Sequence, residues 1–132
     1  MKRVILLALI GLSLSLSTKR QTVVDCAISL LGTPYEKIDC SGLTRRCYKK
    51  VGIELSTIAH NQFTKGRSVS RAELKPGDIV GFNNHDGKTQ PGHVGIFIGG
   101  SRYIHSPGRG KVIQYWSLDG NTNFIAGRAF LD

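Results

Sequence analysis

The chain has 132 residues, 40% of them hydrophobic. That is room for one compact domain around one core, and it excludes a separate substrate-delivery module. Lysine and arginine number 18 against 9 acids, a formal charge of +9 that favours anionic partners such as acidic polymers or anionic membrane surfaces. Nucleic acid is not expected, because the cations (Arg45, Arg46, Lys49, Lys50, Lys65, Arg67, Arg71, Lys75) are scattered with few aromatics between them.

Residues 1–17 open with Lys2 and Arg3 and run apolar and Ser-rich from Val4 to Ser17, the pattern of an export signal. The run of about 14 residues is shorter than the ~20 a membrane span needs, and Ser15 and Ser17 suit cleavage after Ser17. Retention as an uncleaved anchor is the alternative. Cleavage removes Lys2 and Arg3, taking 18 basic residues to 16 against 9 acids, so the mature part, residues 18–132, carries +7. No cysteine follows the apolar run closely enough for lipid attachment.

Thr22 to Leu31 carries apolar residues at 23, 24, 27, 28 and 31, which is helical periodicity, and Gly32-Thr33-Pro34 stops it. Asp39 is an N-cap residue for a second helix whose core stripe is Leu43, Cys47 and Val51, with Gly52 at its end. Cys40 then takes the first helical position. Unpaired N–H groups and the positive end of the helix dipole favour a thiolate there.

Three cysteines in an exported chain leave at least one thiol unpaired. On one helix Cys40 and Cys47 stand about 10.5 Å apart, beyond the roughly 7 Å limit between the Cα atoms of a disulfide. A Cys26–Cys47 pair is conceivable and stays open, but no spacing supports it, so two buried thiols are the favoured expectation.

From Leu74 onward the period changes. Lys75-Pro76-Gly77-Asp78 is a turn, and five strands follow: Ile79 to Phe82, His93 to Ile98, Arg102 to His105, Val112 to Trp116 and Phe124 to Phe130. Asn83 to Gly92 between the first two is a polar loop. Helices first and an antiparallel sheet second make an α+β fold.

A cysteine nucleophile needs a base, and the base needs a group that orients its ring. His60 and His85 are read as solvent-exposed. His93 and His105 fall on two strands of one hairpin. A turn centred on Gly99 sets them opposite one another, and one centred on Gly100 makes them diagonal neighbours on one face. A two-residue turn sends them to opposite faces, so an odd-length loop is required. With no Cys-x-x-Cys and no close histidine pair, neither a metal site nor a cofactor is expected.

Asp39-Cys40-Ser41-Gly42-Leu43, Leu74-Lys75-Pro76-Gly77-Asp78-Ile79-Val80, His93-Val94-Gly95-Ile96-Phe97-Ile98-Gly99 and Ile104-His105-Ser106 together resemble the successive blocks of the NlpC/P60 cysteine peptidases. Leu31 to Tyr35 and Gln62 also fall where that pattern has counterparts, and the likeness runs from about residue 22 to 128. The resemblance implies a papain-like fold and hydrolysis of peptidoglycan stem peptides, often between γ-D-glutamate and a diamino acid. It further implies Cys40 as nucleophile, His93 as base and His105 as the residue orienting it. Tyr35 would line the site and assist the oxyanion, and Asp39 and Ser41 would contact the substrate's amino group.

One departure from the family pattern is expected to open a wall of the substrate groove: only Glu36-Lys37-Ile38-Asp39 separates Tyr35 from Cys40. The Asn83 to Gly92 loop is expected to build a different wall, and the positive charge to hold a monomeric, secreted or periplasmic enzyme near an anionic envelope. Two other readings stay open. The same thiol could serve amidase, transpeptidase or acyltransferase chemistry, or the chain could be a non-catalytic basic binder of wall or nucleic acid.

Overall fold

The computed structural model describes residues 17–83 and 91–132. The expected export segment, apart from Ser17, lies outside the described residues, as do His85 and most of the expected wall-forming loop. Among the described residues three helices come first, α1 (Thr18–Ser29), α2 (Cys40–Lys49) and the single turn α3 (Ala59–Gln62). They precede β1 (Arg67–Val69), a 3-10 turn (Arg71–Glu73), β2 (Ile79–Asn83), β3 (Pro91–Gly99), β4 (Arg102–His105), β5 (Gln114–Ser117) and β6 (Phe124–Ala129). The strands form one antiparallel sheet in the order β1-β6-β2-β3-β4-β5.

This is the expected α+β arrangement with two differences. α1 begins four residues before the Thr22 start expected from periodicity, because the Ser17 hydroxyl accepts the Arg20 N–H at 3.2 Å and caps it. The sheet has six strands rather than about five. The extra one, β1, is three residues long with two of them exposed, too short and too polar to show an alternating pattern, and it gains its identity by pairing with β6.

Val23 and Ala27 of α1 and Leu43, Cys47 and Tyr48 of α2 pack with Ile79, Val94, Ile96 and Ile104 of the sheet. Burial of each of these large apolar side chains contributes about 1.5–3 kcal/mol. Val80, Phe82, Phe97, Tyr103 and Leu118 form a second cluster.

The expectation of two buried thiols is corrected. Cys26 and Cys47 are both buried but are joined in a disulfide between α1 and α2, with Cα atoms 5.4 Å apart. A separation of 21 residues has no local signature, and it is the packing of one helix on the other that brings the two side chains together. Cys40 is the free thiol.

Arg20, 2% exposed, joins the beginning of α1 to the end of the chain. Its guanidinium donates to Asp78 Oδ1 at 2.8 Å, to Pro76 O at 3.0 Å, to Leu131 O at 2.7 Å and to Asp132 O at 2.6 Å. A buried charge so fully paired resists removal of either partner, at a cost of about 3–5 kcal/mol.

Candidate active site

The β3–β4 hairpin decides whether the two histidines can meet. Ile96 pairs with Ile104 and Phe97 with Tyr103, so the turn is centred on Gly100 and the loop is odd. Positive φ at Gly99, Gly100 and Ser101 closes it. His93 and His105 are therefore diagonal neighbours on one face, and His93 Nε2 lies 2.7 Å from His105 Nδ1. Gly95 lies between them in register. A Cβ there would meet Ile104 O at 2.9 Å, the Tyr103 ring at 3.0 Å and His105 Cβ at 3.2 Å. The close approach of the hairpin around the histidines therefore depends on a residue without a side chain.

On the other side, Asp39 caps α2 by accepting the Gly42 N–H at 2.7 Å, which sets Cys40 at the first helical position as expected. Ser41 is buried, and its hydroxyl donates to Thr57 O at 3.0 Å while lying 3.3 Å from Asp39 Oδ1. Gln62, 1% exposed, donates to Ser41 O at 3.1 Å and Ser56 O at 2.8 Å and accepts from Thr44 at 2.5 Å. It thereby ties the start of α2 to α3 and to the loop before α3. His60, expected at the surface, is half-buried in α3, which packs against β3, and its Nδ1 is buried without a hydrogen bond among the described residues.

Cys40, His93 and His105 line one cavity of about 280 Å³ together with Tyr35, Phe82 and Trp116. The shortened segment before Cys40 does not carry Tyr35 away from it. The Tyr35 N–H donates to Lys111 O at 3.0 Å, and Lys37 and Ile38 turn back onto Pro34 O at 3.0 and 3.2 Å. Tyr35 and Asp39 also border a much larger open groove on the far side, about 1280 Å³, running along α2.

Burial pushes the Cys40 thiol up, helped by the charge of Asp39 and opposed by the N–H groups of Val94, Ser41 and Cys40 itself. The helix start expected to favour a thiolate is thus outweighed by burial. Burial, with His93 and Lys111 adding to it, holds His105 down at about 3, so that ring stays neutral. Tyr35 is pushed up by burial and then by Cys40 and Asp39, and keeps its proton.

In that contact His93 uses Nε2 and His105 uses Nδ1. A neutral His105 accepting at Nδ1 carries its own proton on Nε2. That atom is buried without a hydrogen bond among the described residues, and the ring packs between Tyr103 and Trp116, with centroids at 4.8 and 4.5 Å. These two aromatics were not singled out from the sequence. The alternation of β4 placed Tyr103 beside His105, whereas Trp116 arrives through the β4–β5 register, which no local pattern announced. No group of three or more His, Cys, Asp or Glu placed to hold a metal occurs among the described residues.

Residues 29–124 match the NlpC/P60 family model. The chain belongs to the NlpC/P60 family. The gamma-D-glutamyl-L-lysine dipeptidyl-peptidase of Bacillus subtilis is 30% identical over 105 residues, covering 74% of this chain and 36% of that protein. The gamma-DL-glutamyl hydrolase of the same organism is 40% identical over 89 residues, covering 66% and 21%. The murein DD-endopeptidase MepS/murein LD-carboxypeptidase of Escherichia coli is 39% identical over 92 residues, covering 64% and 47%. This NlpC/P60 chain spans less than half the length of each of these relatives. Among solved structures, the NlpC/p60 domain of the peptidoglycan hydrolase SagA superposes with a TM-score of 0.73 at 28% identity, covering 83% of this chain and 97% of that one.

Proposed function

We propose that the chain is an exported cysteine peptidase that hydrolyses peptidoglycan stem peptides, at the bond between γ-D-glutamate and a diamino acid. The observation that carries the reading is the placement of Cys40, at the start of α2, in one cavity with the hydrogen-bonded His93–His105 pair. His93 Nδ1 takes the thiol proton as sulfur attacks the scissile carbonyl, and His105, neutral, fixes the imidazole and stabilises the imidazolium by accepting from Nε2–H. In this reading the Cys40 N–H and the hydroxyl of Tyr35, which lines the same cavity, receive the oxyanion. His93 then protonates the leaving amine, and water, activated by the same ring, hydrolyses the acyl-enzyme.

The buried disulfide supports export, because such bonds persist in oxidising compartments. No described helix is long and apolar enough to cross a membrane.

The test is a digest of muropeptides by residues 18–132, with products read by mass spectrometry. Hydrolysis adds one water to the summed product masses, whereas transfer to another acceptor does not. Cys40→Ala is expected to lower turnover by about four to six orders of magnitude. Full turnover by that variant would end the assignment.

A further inference from the structure

The cavity at Cys40 holds a charge that the catalytic steps leave unused. Among the described residues lining it, Lys111 is the one lysine or arginine, and no aspartate or glutamate shares the lining. The Lys111 side chain makes no ion pair among the described residues. Its backbone is pinned: the N–H donates to Gly108 O at 3.1 Å, and the carbonyl accepts the Tyr35 N–H at 3.0 Å. Just beyond it Val112 bridges to Pro34, and the Ile113 N–H donates to Thr33 O at 2.9 Å. The ammonium is therefore rooted at a fixed point of the cavity wall, on a segment laced to the one that carries Tyr35.

An exposed lysine is ordinarily a solvated surface group, and two observations set this one apart. The first is its reach. Its charge joins burial and His93 in holding His105 neutral. The same repulsion opposes the imidazolium that the proposed reaction creates at His93, so a Lys111 left without a counter-ion works against the chemistry. A substrate anion bound to it removes that penalty. The second is scale. At about 280 Å³ the cavity lies just under the roughly 300–1,000 Å³ of a small-molecule pocket, so groups flanking the scissile carbonyl stay close to its walls.

We propose that Lys111 determines specificity at this site: its ammonium takes the free α-carboxylate of the γ-D-glutamyl residue and selects that residue over its α-amide, an assignment that rests on the peptidase reading above. A γ-linkage consumes the side-chain carboxyl and leaves the α-carboxylate ionised, separated from the scissile carbonyl only by the short chain of the residue itself. The carboxylate thus enters the cavity with the carbonyl that Cys40 attacks. Amidation removes the charge and adds N–H donors, which an ammonium, having donors and no acceptor, cannot satisfy. The discrimination combines a lost charge-assisted hydrogen bond with those unmatched donors.

The probes are two synthetic tripeptides, L-Ala-γ-D-Glu-L-Lys and the same peptide with the glutamyl α-carboxyl amidated, each titrated calorimetrically into the Cys40→Ala variant of residues 18–132. The acid is expected to bind about tenfold more tightly than the amide, with the gap narrowing as salt is raised. Lys111→Met is expected to bring the two affinities together, chiefly by weakening the acid, whereas Lys111→Arg keeps a cation and the preference. Arg109→Met, the same loss of charge from the neighbouring groove, is expected to leave the ratio unchanged. Equal binding of acid and amide by the parent, binding of neither, a preference that survives in Lys111→Met, or one lost equally in Arg109→Met would each overturn the assignment. Binding by the Cys40→Ala variant needs no turnover. A failed muropeptide digest therefore sinks the peptidase reading alone, and a failed titration sinks the role of Lys111 alone.

Discussion

On the α2 side of the cavity Cys40 is held by bonds: the Asp39 cap, the Gln62 hydrogen bonds around Ser41, and a disulfide about two helical turns on, at Cys47. On the β3–β4 side His93 and His105 are held by register and rings: an odd hairpin loop, the bare Gly95, and the Tyr103 and Trp116 faces around His105. The first side is covalently and polar-anchored, so redox state should trouble it. The second depends on a neutral, buried imidazole, so acid should trouble it.

Among the groups that support Cys40 and His93, the largest effect is expected on the ring side. His105→Ala removes the acceptor of His93 Nε2 and is expected to lower kcat by about 10³-fold with KM little changed, whereas His105→Asn, which keeps an acceptor, recovers most of that loss. Steady-state kinetics on a defined muropeptide read both. Equal kcat in His105→Ala and the parent would reduce the hairpin to a scaffold.

Next comes the anchored side. Cys26→Ala/Cys47→Ala, or reduction of the parent, removes a cross-link worth about 3 kcal/mol, and the thermal midpoint is expected to drop by roughly 10 °C. Thermal melts with and without reductant test this. An unchanged midpoint would mean that helix packing alone fixes α2.

The smallest effect is acid sensitivity. The unfolded chain protonates His105 near 6.5, while the folded chain resists until about 3. This contribution to stability is complete above pH 6.5 and is lost progressively as pH falls toward 3. Between pH 7 and 5 the loss is expected to be about 1–2 kcal/mol, and His105→Asn should flatten that part of the profile. Denaturant titrations at stepped pH measure it, and identical slopes in the two proteins would assign the acid sensitivity to other groups.

The same division separates what the amino-acid order revealed from what it concealed. Asp39 before Cys40, and the number of residues between His93 and His105, are local facts. Capping preference and strand alternation convert them into a helix start and a shared face without knowledge of the rest of the chain. The disulfide, the β1–β6 pairing, the Trp116 ring over His105 and the half-burial of His60 depend on which distant segments pack together, and the exposed Arg67 and Ser68 disguise β1 as loop. The thiol's environment was misjudged for a related reason. The helix terminus is visible in the sequence, but the burial that outweighs it comes with distant packing, such as that of β3, whose Val94 backbone reaches Cys40.

Arg20 gives the molecule a property unrelated to catalysis. By gripping Leu131 and Asp132 from the first turns of α1, it brings the start and finish of the described chain to one corner, and none of these residues lines the cavity or the groove. A linker of a few residues could splice the two ends together, so the domain is suited to circular permutation. Cargo attached at either end would hang from that same corner.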